Sequence, residues 1–424
     1  MTESNITDLA AYSLKVAGNA RKAALALARA SVDQKNRALR DMADLVRRGV
    51  KQLQAQNAKD LDGGRKAGLS AAMLDRLELT DKRIEAMAVS LEQVAEQTDP
   101  VGQVIEGYVR PNGLRIERVR TPIGVVSIIF ESRPNVTADA AGLCLRSSNA
   151  CILRGGKEAI HSNLAIAAVL REALAKNGLP LDAVQVIATT DRGLVGELLK
   201  LDQYIDLVIP RGGESLIRAV VELSRIPVIK HYTGNCHVYV DRECELELAD
   251  KVVINAKCQR PGVCNAAETI LFHRAIAERF VPVICGHLAD HGVEIRGCAE
   301  TCRLFPQAKP ASEQDWATEY LDLIVAVKVV DGVAEAIDHI NAYGSHHTDA
   351  ILSNSVCAVE EFVQNVDTAS VMVNTSTRFS DGYEYGLGAE IGISTDKLHA
   401  RGPMGARDLT TYKYVVRGHG QLRQ

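Results

Sequence analysis

One cysteine of this 424-residue chain lies in a sequence context typical of a catalytic nucleophile. Cys264 belongs to the run Arg-Pro-Gly-Val-Cys-Asn at residues 260–265, two positions after Gly262. Glycine allows a close approach between backbone and ligand, and the following Asn-Ala-Ala-Glu is typical of a first helical turn. A thiol at a helix N-terminus has a lowered pKa, and the N–H groups there can hold an oxyanion. We therefore predict that Cys264 forms a thioester.

The other nine cysteines fit a structural role, because a buried cysteine usually serves as small apolar filler. Cys258, six residues before Cys264, is the nearest rival, but it lacks the Gly-x-Cys context. The chain contains no CxxC pair, which argues against a zinc ribbon and against a disulfide scaffold. Scattered thiols in a chain of this length indicate a reducing compartment, so we expect a cytoplasmic protein.

Two glycine-bearing loops follow predicted strands and could bind a nucleotide cofactor. Residues 154–157, Arg-Gly-Gly-Lys, place two cations at a strand end, which suits the 2′-phosphate of NADP. Residues 211–215, Arg-Gly-Gly-Glu-Ser, join a strand to a helix, where N–H groups can face a pyrophosphate. Either could equally be a solvated loop, because the Gly-x-Gly-x-x-Gly fingerprint is absent. The predicted cofactor contacts are Arg154, Gly155, Gly156, Lys157, Gly212, Gly213 and Ser215.

A third loop, residues 131–135, follows the strand that ends at Phe130. Ligands of open α/β sheets bind outside the carboxyl ends of the strands, so Arg133 and Asn135 could meet an anionic substrate or an oxyanion. Ordinary turn chemistry explains Pro134 and Asn135 equally well. The loop is therefore a candidate for substrate binding, with Asn135 predicted as a catalytic amide.

Composition and missing motifs exclude several other functions. Net charge is −4, with Lys and Arg spread along the chain, so nucleic-acid binding is not expected. No apolar stretch approaches the roughly twenty residues that span a bilayer, and the N-terminus does not resemble a secretory signal. His346-His347 is the only adjacent histidine pair, and neither His-Glu-x-x-His nor Gly-x-Ser-x-Gly occurs. We predict neither a metal site nor a serine hydrolase, but a soluble enzyme acting on a small molecule.

The hydrophobic pattern predicts an α/β protein with two parallel sheets. Amphipathic helices extend from residue 7 to about residue 97, and residues 114–120 alternate apolar and charged side chains as in an outlying strand. Helices at 158–177, up to 201, and 214–225 then alternate with strands, which implies a parallel sheet covered on both faces. The predicted strands are 124–130, 149–153, 184–188, 205–209, 228–229 and 238–240 in one unit, then 269–272, 323–330, 350–353 and 370–373 in a second.

Four stretches of sequence together resemble the aldehyde dehydrogenase superfamily. They read Phe-Glu-Ser-Arg-Pro-Asn-Val-Thr-Ala at 130–138, Ile-Lys-His-Tyr-Thr-Gly at 229–234, Asn255–Ala266, and Asn-Thr-Ser-Thr-Arg-Phe-Ser-Asp-Gly-Tyr-Glu-Tyr-Gly-Leu-Gly at 374–388. The resemblance extends over nearly the whole chain. It is greatest to the members that reduce the acyl phosphate of glutamate.

The resemblance assigns roles to individual residues. Cys264 falls on the nucleophile of the superfamily, residues 154–157 fall near the loop that holds the adenosine ribose, and Glu319 matches the glutamate at the nicotinamide ribose. The amide that helps bind the oxyanion lies in the loop of Asn135, although a gapless alignment places Arg133 there. Arg133 and Arg378 are the candidates for gripping the substrate phosphate or carboxylate. The implied reaction is NADPH-dependent reduction of L-glutamate 5-phosphate to L-glutamate 5-semialdehyde and phosphate, the second step of proline biosynthesis.

One departure from the superfamily pattern favours the reductase reaction. Oxidising members carry a glutamate before a Gly-Gly that activates water, whereas this chain has His-Tyr-Thr-Gly at 231–234. An enzyme that consumes an acyl phosphate has no use for that base, since hydrolysis would waste the thioester. Two alternatives stay open: another thioester-forming member, which oxidises an aldehyde or acylates coenzyme A, and a catalytically inactive nucleotide-binding homologue.

The resemblance also implies a domain organisation. We expect a cofactor domain at 1–105 and 122–235, a catalytic domain at 236–400, and a small flap made of 106–121 with 401–424. Exposed strand edges in such a flap would pair with a second subunit, so a homo-oligomer is expected. A contact with the kinase that makes the acyl phosphate is a further expectation.

Overall fold

A computed structural model describes residues 8–423, which divide into two compact units. The first unit comprises the chain up to Lys230, Gly386–Gly392, and the chain from Met404 onward. The second comprises His231–Tyr385 and Ile393–Pro403. Among residues 8–423, no helix is long and apolar enough to cross a membrane.

The first unit begins with five helices, several of which have a side-chain cap. Ser31, Ser70 and Thr80 each accept a hydrogen bond from the backbone N–H three residues later, which satisfies one of the unpaired donors of a helix start. The helical prediction for this region is confirmed in its described part. The helices are α1 Leu9–Leu27, α2 Val32–Arg48, α3 Val50–Lys66, α4 Ala71–Leu77 and α5 Asp81–Glu96.

A four-stranded parallel sheet forms the core of the first unit, after two outlying strands, β1 Val104–Val109 and β2 Arg115–Pro122. The strand order is β5-β4-β3-β6, so β3 has β4 on one side and β6 on the other. Loops after β3, β4 and β6 therefore leave from the same edge of the sheet. The elements are β3 Val125–Phe130, α6 Val136–Arg146, β4 Ala150–Arg154, α7 Ile160–Lys176, β5 Val184–Val186, α8 Gly193–Leu198, β6 Leu207–Arg211 and α9 Glu214–Leu223.

Two predicted strands differ from the observed sheet. Residues 228–229 form only an isolated bridge between Val208 and Val228. Pro227 precedes them and has no N–H to donate, so a longer ladder cannot form there. The strand predicted at 238–240 exists, but it belongs to the sheet of the second unit and not to the first.

The second unit is built on a seven-stranded parallel sheet of order β10-β9-β11-β8-β7-β12-β13. Successive side chains of its central strands enter opposite cores: Phe272 packs with Phe280, whereas Leu271 packs with Phe362. Both faces are covered, as the apolar runs predict. The elements are β7 Cys236–Val240, α10 Leu246–Cys258, β8 Ala267–His273, α11 Arg274–Asp290, β9 Glu294–Gly297, α12 Ala299–Leu304, β10 Lys309–Pro310, β11 Ile324–Val330, α13 Val333–Tyr343, β12 Thr348–Leu352, α14 Val356–Asn365 and β13 Ser370–Val373.

Three more strands complete the fold: β14 Gly392–Ser394, β15 Gly402–Met404 and β16 Thr410–Arg417. β14 pairs with β15, and β16 lies antiparallel to β2. β1 lies antiparallel on the other side of β2, which gives a separate three-stranded sheet of order β1-β2-β16. All six residues of β1 are exposed, so this sheet has an uncovered edge within the chain.

Candidate active site

Cys264 lies in a turn, residues 259–266, that connects α10 to β8. The prediction of a helical turn directly after Cys264 is wrong, because the chain enters the buried strand β8 at Ala267. Pairing with β7 and β11 on both sides outweighs the helix propensity of Asn-Ala-Ala-Glu. The helix-dipole argument for this thiol therefore does not hold, and other neighbours must account for its environment.

The backbone of Cys264 is held by the segment that leads into β7. A Cβ atom placed on Gly234 would lie 2.0 Å from the carbonyl oxygen of Cys264 and 2.5 Å from its Cα. The Cys236 thiol donates a hydrogen bond to the same carbonyl at 3.1 Å. A Cβ on Gly262 would meet nothing closer than the Leu321 carbonyl oxygen at 3.6 Å. The close backbone approach that sequence analysis attributed to Gly262 therefore occurs at Gly234.

Two imidazoles lie beside the Cys264 thiol. One ring nitrogen of His231, one of His347 and the Cys264 Sγ all lie within 4.8 Å of one another. His231 Nδ1 is 2.8 Å from the Ile393 carbonyl oxygen. A carbonyl can only accept, so Nδ1 carries the hydrogen and Nε2 keeps its lone pair in the neutral ring. Sequence analysis missed this cluster, because it assembles through the neighbouring strands β7 and β12 and not through sequence spacing.

Two arginines lie close to the Cys264 turn. The Asn265 side chain donates to the carbonyl oxygens of Ser380 at 2.9 Å and of Arg378 at 3.4 Å, which ties the turn to the segment of Arg378. Arg378 Nε donates to Gln259 Oε1 at 2.9 Å. Burial lowers the pKa of the Arg378 guanidinium, and the nearby charge of Arg260 lowers it further. The two guanidinium groups make this side of the turn suitable for an anion.

Glu319 forms a hydrogen bond with Gly234, the residue that contacts the Cys264 backbone. Its Oε1 accepts the backbone N–H of Gly234 at 2.8 Å. Glu319, which the resemblance assigns to the nicotinamide ribose, therefore also fixes Gly234, the glycine that contacts the Cys264 backbone. Cys264, Glu319 and Arg378 are the predicted site residues that lie together in the second unit.

A buried ion pair links the helix before the Cys264 turn to the strand after it. Lys257, in the last turn of α10, and Glu268, the second residue of β8, are 2.6 Å apart, and both side chains are fully buried. The Leu321 N–H also donates to Glu268 at 3.2 Å. Burial raises the pKa of Glu268 to about 7, against the opposing effect of Lys257. The pair joins the two ends of the turn, so it fixes the path between them.

Replacing this pair by neutral groups is expected to flatten the pH dependence of stability. The folded pKa of Glu268 lies above the usual glutamate value of about 4.3. Its contribution to stability is therefore fully present below that value and is lost as the pH rises through about 7, at up to about 1.4 kcal/mol per pH unit. Urea unfolding of wild type and of the Lys257→Met, Glu268→Gln double variant from acidic to neutral pH measures the difference. Replacing the exposed pair Glu247–Lys251 in the same way is the control, and parallel curves for wild type and the core variant would contradict the prediction.

In the first unit, hydrogen bonds join the three strand-end loops. The Gly213 N–H, at the start of α9, donates to Glu131 Oε2 at 2.9 Å. The Ser132 N–H and hydroxyl donate to Glu158 Oε1 at 2.8 and 2.5 Å. A Cβ on Gly212 would lie 2.5 Å from Glu131 Oε2. The glycines at 212–213 thus accommodate a carboxylate from the β3 loop, and the helix start already holds an anionic group.

The loop at 154–157 has a partly buried cation, Arg154, and an exposed one, Lys157. The Arg154 guanidinium donates to the carbonyl oxygens of Gly155 at 3.1 Å and Thr190 at 3.4 Å, and burial lowers its pKa. Its buried Nε has no hydrogen-bond partner among the described residues. A Cβ on Gly155 would lie 2.0 Å from Asn163 Nδ2, so this glycine is required by internal packing. The three loops form a rim at the carboxyl edge of the sheet, and Lys157 is an exposed cation on it.

Arg133, Asn135 and Ser215 also belong to the first unit. Arg133 and Ser215 are exposed. Asn135 Nδ2 donates to Asp139 Oδ2 at 3.0 Å at the start of α6, and burial raises the pKa of Asp139. An amide carries two N–H donors, so Asn135 keeps a second one for a ligand.

The chain is similar to known proteins over nearly its whole length. The family model described as "Aldehyde dehydrogenase family" matches residues 10–294. The chain is 53% identical over 408 residues to a gamma-glutamyl phosphate reductase of Caldanaerobacter subterraneus subsp. tengcongensis, covering 96% of this chain and 99% of that protein. It is 55% identical over 409 residues to one of Geobacter metallireducens, covering 96% and 98%. The crystal structure of a Thermotoga maritima gamma-glutamyl phosphate reductase, 48% identical, superposes with a TM-score of 0.95 over 97% of this chain and 100% of that one.

More distant structures share only the fold. An acetylating aldehyde dehydrogenase of Geobacillus thermoglucosidasius is 17% identical, with a TM-score of 0.69 over 99% of this chain and all of that one. The predicted fold, an aldehyde dehydrogenase-like α/β architecture with two parallel sheets, is confirmed by these neighbours and by the observed sheets.

Proposed function

The chain belongs to the aldehyde dehydrogenase family, and from this premise we propose that it reduces L-glutamate 5-phosphate to L-glutamate 5-semialdehyde and phosphate. The observation that carries the proposal is the Cys264 turn, with its thiol beside His231 and His347 and with two arginines at its side. Relatives at 53% and 55% identity over nearly their whole length are named for this reaction. This reaction would be the second step of proline biosynthesis.

We assign the covalent step to Cys264. The S–H proton passes to solvent and the thiolate attacks the acyl carbon. A C–S bond forms and the C–O bond to phosphate breaks, so inorganic phosphate leaves with the bonding electrons. Phosphate is a good leaving group, and Arg260 and Arg378 offset its charge. The backbone N–H of Cys264 and the amide of Asn135 are the proposed donors to the oxyanion, each worth about 3 kcal/mol in transition-state stabilisation. Covalent capture divides one difficult reduction into two easier steps.

The cofactor proposed for the second step is NADPH. When bound, it supplies the hydride that converts the thioester carbonyl into a thiohemiacetal. The residues proposed to hold it are those of the strand-end rim, where Arg154 and Lys157 favour a 2′-phosphate, and Glu319 at the nicotinamide ribose. The thiohemiacetal then releases the aldehyde and returns the Cys264 thiol.

The segment before Gly234 supports reduction over hydrolytic oxidation. Residues 231–233, His-Tyr-Thr, bring no carboxylate to the position where oxidising relatives carry their water-activating base. Glu319, a carboxylate of the described site, accepts the Gly234 N–H. A thioester on Cys264 therefore lacks the glutamate that oxidising relatives use to activate water.

Running the reaction backward tests the proposal without the unstable acyl phosphate. Purified protein with L-glutamate 5-semialdehyde and NADP⁺ should reduce the cofactor only when inorganic phosphate is present, as followed by NADPH absorbance. Replacing phosphate by sulfate is the matched control. Turnover without phosphate would show hydrolytic oxidation, turnover with coenzyme A would show an acylating enzyme, and an inactive but folded protein would show a different substrate or an inactive homologue.

Arg378→Ala is expected to weaken the interaction with phosphate. Loss of a charge-assisted hydrogen bond costs about 1.5–3 kcal/mol, so the KM for phosphate in the reverse reaction should rise roughly 10- to 100-fold. Steady-state kinetics with varied phosphate measures the change. Arg274→Ala is the control, because that exposed arginine pairs with Asp331 at the start of α11. A KM that changes equally in both variants would remove Arg378 from the proposed phosphate site.

We further propose that the β1-β2-β16 sheet joins subunits of a homo-oligomer. Cross-strand register aligns Val416, Ile116 and Tyr108 in one row, and Tyr414 with Arg118 in the next. Tyr108, Tyr414 and Val416 are 50%, 57% and 56% exposed, which is unusual for apolar side chains that share one face of a sheet.

Tyr414→Asp is therefore expected to yield a smaller species in sedimentation-velocity and light-scattering measurements, because it places a charge in the proposed interface. Lys413→Asp is the matched control, since adjacent residues of a strand point to opposite faces. Unchanged mass for Tyr414→Asp, with wild type larger than a monomer, would move the interface elsewhere.

A further inference from the structure

The group formed by Cys264, His231 and His347 has the composition of a zinc site. It supplies one thiol sulfur and two imidazole nitrogens, all within 4.8 Å of one another. Zn²⁺ binds sulfur at about 2.3 Å and imidazole nitrogen at about 2.0–2.1 Å, so tetrahedral ligand atoms stand roughly 3.3–3.8 Å apart. The three atoms would have to approach one another by at most about 1.5 Å to reach that spacing. Among the described residues, this is the group of histidine, cysteine and acidic side chains whose ligand atoms converge in this way.

One ring nitrogen of each imidazole already has a hydrogen-bond partner, as metal-binding histidines generally do. Metal-binding histidines generally give their other ring nitrogen to a carbonyl, carboxylate or similar partner, which fixes the tautomer and the ring orientation. His231 Nδ1 donates to the Ile393 carbonyl at 2.8 Å, and His347 Nδ1 lies 2.9 Å from the Thr348 hydroxyl. In His231 this arrangement places the lone pair of the neutral ring on Nε2. His347 is also fully buried at the entry to β12, so its ring has little freedom to turn away.

The chemistry of the three ligands selects a soft divalent ion. Thiolate and imidazole suit Zn²⁺, whereas Mg²⁺ and Ca²⁺ need oxygen ligands, and no carboxylate belongs to the cluster among the described residues. The neighbouring Cys236 is a poor fourth ligand, because its thiol already donates to the Cys264 carbonyl at 3.1 Å. Three protein ligands leave the fourth position to water or chloride.

We propose that His231, Cys264 and His347 bind one Zn²⁺ ion reversibly, and that the bound ion blocks the Cys264 thiol. On binding, the S–H bond breaks, an S–Zn bond forms and one proton is released to solvent, with no change of oxidation state. The binding follows from the ligand geometry alone. Only the inhibition rests on the proposed function, because it requires Cys264 to be the nucleophile.

Cobalt titration of the intact, EDTA-treated protein tests the binding directly. Co²⁺ should produce one equivalent of a sulfur-to-metal charge-transfer absorption, and Zn²⁺ should displace it. Cys264→Ser should abolish the absorption. His231→Asn keeps a donor for the Ile393 carbonyl but removes the ligand nitrogen, so Zn²⁺ affinity from competition should fall by at least about tenfold. Since His231 is only half-buried, this variant tests the site even where His347→Asn does not fold.

Two control variants separate this site from adventitious binding. His346→Asn changes the histidine adjacent to His347, and an asparagine tolerates the positive φ of that position. Cys357→Ser changes an exposed cysteine on α14. Both should bind Co²⁺ and Zn²⁺ as wild type does. Unchanged affinity in His231→Asn, or an absorption that survives in Cys264→Ser, would overturn the proposal.

The reverse assay then links binding to function. Zn²⁺ should inhibit phosphate-dependent turnover, EDTA should restore it, and His231→Asn should shift the inhibition to at least about tenfold higher Zn²⁺. If the protein binds the metal but shows no turnover, the proposed function is wrong and the proposed metal site is supported. Turnover that is insensitive to Zn²⁺ while Co²⁺ binds at Cys264 would refute the inhibitory role.

Discussion

Cys264→Ala is expected to lower phosphate-dependent reduction of NADP⁺ by on the order of 10⁴-fold or more, because the variant cannot form the thioester. When residues act together in catalysis, removing the nucleophile alone abolishes nearly all of their joint rate enhancement. The fold should tolerate the change, since the side chain is only partly buried and the thiol gives way to a smaller group. NADPH binding measured by fluorescence should therefore stay close to wild type.

Cys258→Ala is the matched control for this prediction. Cys258 ends α10, one residue before the turn, is also partly buried, and is the rival that the sequence offers. Its loss should change turnover by no more than a few-fold. Substantial activity in Cys264→Ala, or a large loss in Cys258→Ala alone, would assign the chemistry to another group. A trapped acyl-enzyme detected by mass spectrometry in wild type, and absent from Cys264→Ala, would identify the modified residue independently.

The fold could be predicted because its pattern is local. Buried parallel strands such as Val125–Phe130 and Ile324–Val330 read as short Val/Ile-rich runs, and the helices between them carry clear amphipathic or capping signals. The order of the strands within each sheet could not be predicted in the same way. The hydrophobic pattern alone grouped residues 238–240 with the first series of strands, whereas β7 pairs with β8 and β12 in the second sheet. Pairing partners depend on contacts between distant residues, which hydrophobic periodicity does not encode.

The nucleophile candidate could be found from sequence, but its surroundings could not. A motif names Cys264, yet the turn that holds it depends on β8, whose pairing overrides the helical propensity of the next four residues. His231 and His347 are 116 positions apart in the sequence and meet only because β7 lies beside β12. The sequence shows His346 and His347 as an adjacent pair, but the imidazole that lies near His347 and Cys264 is that of His231. Chemistry carried by residue type was therefore predictable, and chemistry carried by juxtaposition was not.

Gly234 and Gly262 both lie near Cys264, but sequence spacing does not show which of them contacts its backbone. The contact made by Gly234 predicts a second large effect on activity. Gly234→Ala should lower kcat by about 100-fold or more, because its Cβ would lie 2.0 Å from the Cys264 carbonyl oxygen and 2.5 Å from its Cα. Both atoms belong to the backbone, so no side-chain rotation relieves the contact and the turn itself must move. A displacement of about 1 Å in a catalytic group can cost about 100-fold in rate. Such overpacking also destabilises a core by about 1–3 kcal/mol.

Gly262→Ala separates this steric effect from the general sensitivity of the turn. Gly262 lies two residues before Cys264, but its new Cβ would make only an ordinary contact of 3.6 Å with the Leu321 carbonyl oxygen. Neither glycine has a positive φ, so alanine fits the backbone conformation of both and only the contact differs. We expect the Gly262→Ala variant to keep kcat within a few-fold of wild type and the Gly234→Ala variant to lose it while still binding NADPH. Equal losses would mean that the turn tolerates no added methyl group, and equal retention would mean that the Gly234 segment does not set the position of the thiol.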